Sequence, residues 1–96
     1  MSTQDIQNSQ DVIVGGWTAY HNLTDEDRSV FKEAISGEHG NVKYEPQLVS
    51  TQVVAGVNYR YKCTASAPPA LVVWEAVVQI FKPLHGKPYV TDINRI

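Results

Sequence analysis

Several features are scarce in this sequence, and each shortage excludes a class of protein. The single cysteine, Cys63, excludes a disulfide within the chain, so the fold does not require an oxidising compartment. Eight lysines and arginines are outnumbered by ten acidic residues and are scattered along the chain, which argues against a nucleic-acid or membrane partner. The first ten residues contain neither a basic segment nor an apolar run, so we expect no signal peptide. This favours a cytoplasmic protein, although an exported protein whose signal peptide had been removed would look the same.

The remaining composition is that of a folded domain. Hydrophobic residues make up 43% of the 96 positions and charged residues 19%, which supplies enough apolar surface for one core and argues against disorder. The start of the chain is polar, and we expect a flexible tail over residues 1–11. Residues 12–96 should form a single domain without internal repeats.

One helix is predicted to begin near Asp25. Thr24 is a suitable N-cap, Asp27 three residues later completes a capping box, and acidic residues suit the positive end of a helix. Gly37 is expected to end the helix. An apolar stripe at helical spacing runs through Leu23, Val30, Phe31, Ala34 and Ile35.

After residue 41 the apolar pattern changes to a period of two, which indicates strands. Val57, Tyr59, Tyr61 and Cys63 alternate with polar residues, as expected for a strand with one buried face. In the preceding segment the apolar residues change from even to odd positions around Pro46-Gln47-Leu48. This change of parity predicts a β-bulge that bends the strand.

Two further strands complete the predicted sheet. A loop over residues 65–69 is followed by a long strand from Leu71 to Lys82, and a turn over residues 83–86 leads to a last strand from Tyr89 to Ile93. One helix followed by four consecutive hairpin-linked strands predicts an α+β fold, in which an antiparallel sheet of four to five strands wraps around the helix. The predicted inner face of the long strand contains Val72, Trp74, Ala76, Val78 and Ile80.

No residue pattern supports a catalytic site. Cys63 shares a strand face with two tyrosines, where a cysteine is usually an inert small hydrophobic residue. His21, His39 and His85 fall in three separate loop regions without the spacing of metal ligands. Gly15-Gly16 does not lie between a strand and a helix, as a phosphate-binding loop would. We therefore expect neither an enzyme nor a bound metal or cofactor.

Three apolar segments occur where polar turns are expected. They are Val12-Ile13-Val14-Gly15-Gly16, the stretch Gln52-Val53-Val54-Ala55-Gly56, and Pro83-Leu84-His85. In a sheet whose strand order follows the chain, the turns around residues 52–57 and 83–87 emerge at the same end. An exposed apolar edge on a small domain typically marks a partner site. Two alternatives remain open: residues 52–56 could form a buried strand with a bulge at Gly56, and residues 12–14 could form a first edge strand.

These three segments resemble the motifs of the cystatin superfamily, the inhibitors of papain-like cysteine proteases. The family pattern has a glycine in the amino-terminal segment, here Gly15-Gly16, then a Q-x-V-x-G turn, here Gln52 to Gly56, then a second turn, here Pro83-Leu84-His85. The resemblance runs from about Gly15 to Ile93. Because the chain cannot form an internal disulfide and reads VNYRYK after the first turn, it is most similar to the type 1 cystatins, or stefins. Trp17 and the Pro-Leu-His turn depart from the stefin pattern.

The resemblance implies a cystatin-like fold and reversible, competitive inhibition of papain-like proteases of the cathepsin type. An amino-terminal trunk, residues 12–16, and the two turns would block the active-site cleft together. It also implies a monomer that can form a domain-swapped dimer when the first turn straightens. The competing interpretation is a cystatin-fold binding or scaffold module that does not inhibit. The protease-binding residues implied are Val14, Gly15, Gly16, Gln52, Val53, Val54, Ala55, Gly56, Pro83, Leu84 and His85.

Overall fold

The structure, a computed structural model, describes residues 15–36, 40–69 and 72–96. The predicted tail and most of the predicted trunk, residues 1–14, lie outside the described residues. The elements in chain order are β1 (His21–Asn22), α1 (Asp25–Ile35), β2 (Lys43–Val54), β3 (Gly56–Ser66), β4 (Val73–Lys82) and β5 (Tyr89–Arg95).

The helix begins where the capping pattern predicts. The Thr24 hydroxyl oxygen accepts a hydrogen bond from the Asp27 backbone N–H at 3.1 Å, and the Thr24 N–H donates to the Asp27 carboxylate at 3.0 Å. This reciprocal capping box satisfies two of the backbone donors that a helix start otherwise leaves unpaired. The helix ends at Ile35, and the predicted stop at Gly37 lies outside the described residues.

The five strands form one antiparallel sheet in the order β1-β2-β3-β4-β5. This confirms the α+β prediction of one helix with four consecutive hairpin-linked strands. The first strand was not predicted: His21, expected in a loop, pairs with Val49, and Asn22 pairs with Leu48. A strand of two residues has too few positions to produce a periodic pattern, so the sequence carries no local signal for it.

The predicted bulge in β2 is confirmed. The pairing of β2 with β3 shifts by one residue between Pro46 and Leu48. Pro46 lies opposite the buried Cys63, and after the shift Val49 lies opposite the buried Tyr61, so even positions face inward before the bulge and odd positions after it. Proline has no N–H to donate to a ladder, which makes this the natural place for the interruption.

Several strand ends differ from the predictions. Residues 65 and 66, expected in a loop, continue β3, and β5 extends two residues beyond Ile93. Val72, expected on the inner face of β4, precedes that strand and is 49% exposed; Leu71 lies outside the described residues. The pairing of β3 with β4 ends at Ser66 and Val73, so Val72 has no partner in that ladder. The alternating sequence pattern includes Val72 because it carries no information on where the partner strand ends.

The core lies between α1 and one face of the sheet. The ring of Phe31 meets the ring of Tyr61 edge-on with centroids 4.9 Å apart, and the buried Tyr61 hydroxyl donates to the backbone carbonyl of Asp27 at 2.8 Å. Burial of each large side chain stabilises the fold by about 1.5–3 kcal/mol. The buried cluster contains Val30, Phe31, Val49, Tyr59, Tyr61, Cys63, Val78 and Ile80.

The helix of the described residues is eleven residues long, and it is neither long nor apolar enough to cross a membrane.

Candidate functional site

The Gln52–Gly56 stretch forms a tight hairpin turn between β2 and β3 and not a continuous strand. Val54 pairs with Gly56, which leaves Ala55 alone at the tip. Val54 is 39% exposed and Ala55 is exposed as well. Gln52 and Val53 lie in β2 and are half-buried. The exposed part of the predicted motif is therefore the pair Val54-Ala55, which has no core to enter.

Gly56 is required in this turn for two independent reasons. Its φ of +117° lies in the left-handed region that side chains other than glycine rarely adopt. A Cβ atom at this position would lie 2.5 Å from the carbonyl oxygen of Lys82 and 2.9 Å from the ring of Phe81. The backbone of the first turn therefore packs directly against the end of β4.

The second predicted turn exposes a larger apolar side chain. Leu84 is 71% exposed, and His85 is exposed beside it. Gly86 reverses the chain with a φ of +126°. Pro83, before the tip, is half-buried.

The strand register brings the two turns together. Val57 lies opposite Lys82 in the pairing of β3 with β4, so the residue after the first turn faces the residue before the second. The ring of Phe81 supports this end of the sheet by packing edge-on against Tyr89, with centroids 5.9 Å apart. We call this part of the molecule, formed by residues 54–56, residues 83–86 and Gly15, the turn end.

The amino-terminal segment runs to the turn end along the edge of β2 that faces away from β3. The Gly15 N–H donates to the Val53 carbonyl at 3.0 Å, Trp17 pairs with Gln52 in an isolated bridge, and the Thr18 N–H donates to the Thr51 carbonyl at 2.9 Å. We call residues 15–18 the edge segment. Gly15 has a φ of +83° with open space around it, so its conformation alone favours glycine there.

Asn58 and Arg60, which the sequence did not single out, also help to hold the edge segment, Asn58 through Gln52. The Gln52 amide nitrogen donates to the Gly15 carbonyl at 2.9 Å, and the Asn58 amide donates to the Gln52 side-chain oxygen at 2.8 Å. The Arg60 guanidinium lies 3.7 Å above the centre of the Trp17 ring. The alternation of β3 predicts that Asn58 and Arg60 share its outer face, but the sequence contains no signal for the segment they meet there.

The structure thus brings ten of the eleven predicted site residues to one end of the sheet, or into the strand that leads to it. The eleventh, Val14, lies outside the described residues. Gly16 is half-buried between Gly15 and the bridge at Trp17. Residues 52 and 53 hold the edge segment through Gln52 and the Val53 carbonyl, whereas Val54 and Leu84 present apolar surface to solvent.

The buried titratable groups lie in the core and away from the turn end. Burial raises the pKa of the Cys63 thiol to about 12, so it is a thiol and not a reactive thiolate near neutral pH. Burial, with smaller contributions from Glu26 and Asp27, raises the pKa of Tyr59 to about 12 as well. The described residues contain no group of three or more histidine, cysteine, aspartate or glutamate side chains that could hold a metal ion. The turn end, by contrast, presents the exposed apolar side chains of Val54 and Leu84.

No protein-family model matches the sequence, and no curated protein matches it significantly.

Proposed function

We propose that the protein is a reversible, competitive inhibitor of papain-like cysteine proteases with a cystatin-like fold. Three features support this: the α+β architecture of one helix on an antiparallel sheet, the order of the three motifs along the chain, and their meeting at one end of the sheet. The observation that carries the proposal is the exposure of Val54 and Leu84 on neighbouring turns beside the paired Gly15. Apolar side chains on an exposed edge of a small domain typically contact a partner.

In this mechanism the turn end enters the protease cleft as a wedge. The Val54-Ala55 tip covers the catalytic cysteine and histidine, and Leu84 lies beside it on the leaving-group side. The trunk before Gly15 occupies the substrate-side subsites. Burial of Val54 and Leu84 against a largely apolar cleft contributes about 1.5–3 kcal/mol each at best.

The shape of the wedge explains how the protein blocks the cleft without being cut. The first turn is closed by the pairing of Val54 with Gly56 and packs against Lys82. Docking therefore restricts few additional rotatable bonds and costs little conformational entropy. The left-handed conformation of Gly15 bends the chain where the trunk meets the sheet. This bend keeps the backbone of the trunk from lying across the catalytic residues as a substrate would.

Titration of papain activity with the protein tests the proposal. We expect stoichiometric loss of activity at micromolar protein, recovery on dilution, and competition with a small peptide substrate. Trypsin, a serine protease, is the control and should stay active. Full papain activity with a folded protein in excess would refute the proposal and favour the cystatin-fold scaffold module.

A further inference from the structure

The outer face of the sheet carries an aromatic–cation pair at the edge segment. Trp17 pairs with Gln52 across the edge of β2, which places its ring on the outer face near β3. Arg60 of β3 projects from the same face, and its guanidinium carbon lies 3.7 Å from the centre of the ring. A guanidinium over an indole ring at this distance makes a favourable cation–π contact. The pair thus links the edge segment to β3, the neighbour of the strand β2 with which its backbone pairs.

A chain of amide hydrogen bonds makes a second link to β3. Asn58 lies opposite Gln52 in the strand pairing and donates to its side-chain oxygen at 2.8 Å. The nitrogen of the same Gln52 amide donates to the Gly15 carbonyl at 2.9 Å. Since one amide uses its acceptor toward β3 and its donor toward the edge segment, its orientation is fixed from both sides. This link ends at Gly15, the first residue of the edge segment.

Thr18 anchors the carboxyl end of the edge segment. Its carbonyl accepts from the buried Ser50 hydroxyl at 2.5 Å, and its hydroxyl accepts from the Thr51 N–H at 3.0 Å. The edge segment is therefore held on both sides of Trp17, by Thr18 on one side and Gly15 on the other.

We propose that Trp17, Arg60 and Asn58 are positioning residues, which hold Gly15 in the conformation that binds the protease and do not touch the protease themselves. This inference rests on the proposed function. If Gly15 already has its docked conformation before binding, less conformational entropy is lost on binding, and such preorganisation strengthens binding without new contacts. Because affinity changes within one interface appear mostly in the dissociation rate, loss of these contacts should quicken release of the protease.

Arg60→Leu tests the stack, and Arg95→Leu is its matched control. Arg95 makes the same type of contact with Trp74, at 5.1 Å, on the other face and at the opposite end of the sheet. We expect Arg60→Leu to raise the dissociation rate from papain about twofold to fivefold, with a partial return in Arg60→Lys, which keeps the charge. Asn58→Ala should act in the same direction through Gln52. Arg95→Leu should leave the dissociation rate unchanged.

Two further readouts separate positioning from a general loss of structure. Amide hydrogen exchange at Gly15 and Thr18 should become faster in Arg60→Leu, while the melting temperature stays the same.

The outcomes also separate this inference from the proposed function. If the wild-type protein does not inhibit papain, the proposed function fails and the positioning role fails with it. If the wild type inhibits but Arg60→Leu dissociates no faster than Arg95→Leu, the inhibitory function stands and only the positioning role is refuted. Faster exchange at Gly15 with unchanged dissociation also refutes the positioning role alone, since Arg60 would then hold the segment without affecting binding.

Discussion

The inner face of the sheet and the turn end use the same kinds of side chain in opposite ways. Tyr61 and Val49 on the inner face are fully buried against the helix. Val54, five residues after Val49 on the same strand, is 39% exposed, and Leu84 on the neighbouring turn is 71% exposed. The apolar residues of the inner face contribute to folding, whereas those of the turn end remain free to contact a partner.

Most residues that stabilise the fold should therefore differ from those that carry the proposed inhibition. The helix covers one face of the sheet, whereas Val54 and Leu84 are exposed on the turns. Glycine conformation and strand register hold those turns, as Gly56 shows by packing directly on Lys82. Substitutions in the two regions should have different consequences for the free energy of unfolding and for inhibition.

Phe31→Ala should give the largest loss of stability. Phe31 is almost fully buried and packs edge-on against Tyr61, so its truncation should lower the free energy of unfolding by about 3–5 kcal/mol. Urea unfolding measures this loss, and Phe31→Leu provides a milder variant if the alanine form does not fold. Inhibition of papain per folded molecule should not change. A parallel fall in inhibition would show that the inner face also shapes the site.

Gly56→Ala should weaken both stability and inhibition. The left-handed conformation alone costs about 1–3 kcal/mol for a residue with a side chain, and the new Cβ would also meet the Lys82 carbonyl. Gly40→Ala is the matched control, since Gly40 has a φ of +68° but open space around it. Unfolding by urea should show a larger loss for Gly56→Ala than for Gly40→Ala. Equal losses would mean that the close packing of the first turn on β4 is unimportant.

Val54→Asn should weaken inhibition without weakening the fold. Asparagine suits a tight turn better than a β-branched residue, so the melting temperature should stay the same or rise slightly. Inhibition of papain should fall tenfold or more, which corresponds to about 1.4 kcal/mol. Val73→Asn, at a valine that is 64% exposed at the other end of the sheet, is the control and should inhibit as the wild type does. If Val73→Asn weakens inhibition as much as Val54→Asn, the turn end is not the binding region.

A rise in pH should produce the smallest effect, confined to the core. The pKa of the Cys63 thiol is raised by burial from 9.0 to about 12, so between these values the unfolded chain releases a proton that the folded protein keeps. Stability is therefore full below pH 9 and falls as the pH rises toward 12. Thermal unfolding at about pH 8 and about pH 9.5 should show the first part of this loss. Cys63→Ala should remove it up to about pH 10, above which Tyr59 begins to contribute in the same way.

The parts of the fold that depend on local patterns could be predicted from the sequence. The capping pair of Thr24 and Asp27 marks the helix start, and the change of parity at Pro46 marks the bulge. The helix start and the bulge can both be recognised from a few neighbouring residues, because the interactions that cause them involve only those residues. The turn over residues 83–86 was also predictable, from Pro83 and Gly86, whereas the residues themselves left open whether residues 52–56 form a turn or a strand with a bulge.

The contacts of the edge segment could not be predicted in this way. The Gln52 amide meets the Gly15 carbonyl across 37 positions, and Arg60 meets Trp17 across a similar separation. Neither residue type favours a partner strongly enough to identify it in one sequence. Only the register of the edge segment and of the following short strand β1 on β2 brings these side chains together.

The location of the inhibitory site is best tested by mapping the papain-bound surface with NMR. Papain is added to the isotope-labelled protein, and the backbone amide signals are followed residue by residue. We predict that Gly15, Ala55 and Leu84 shift on binding, while Val73 at the opposite end of the sheet and the buried Val78 keep their signals. Shifts centred on Val73, or a spectrum unchanged by excess papain, would contradict the claim that the turn end is the site of inhibition.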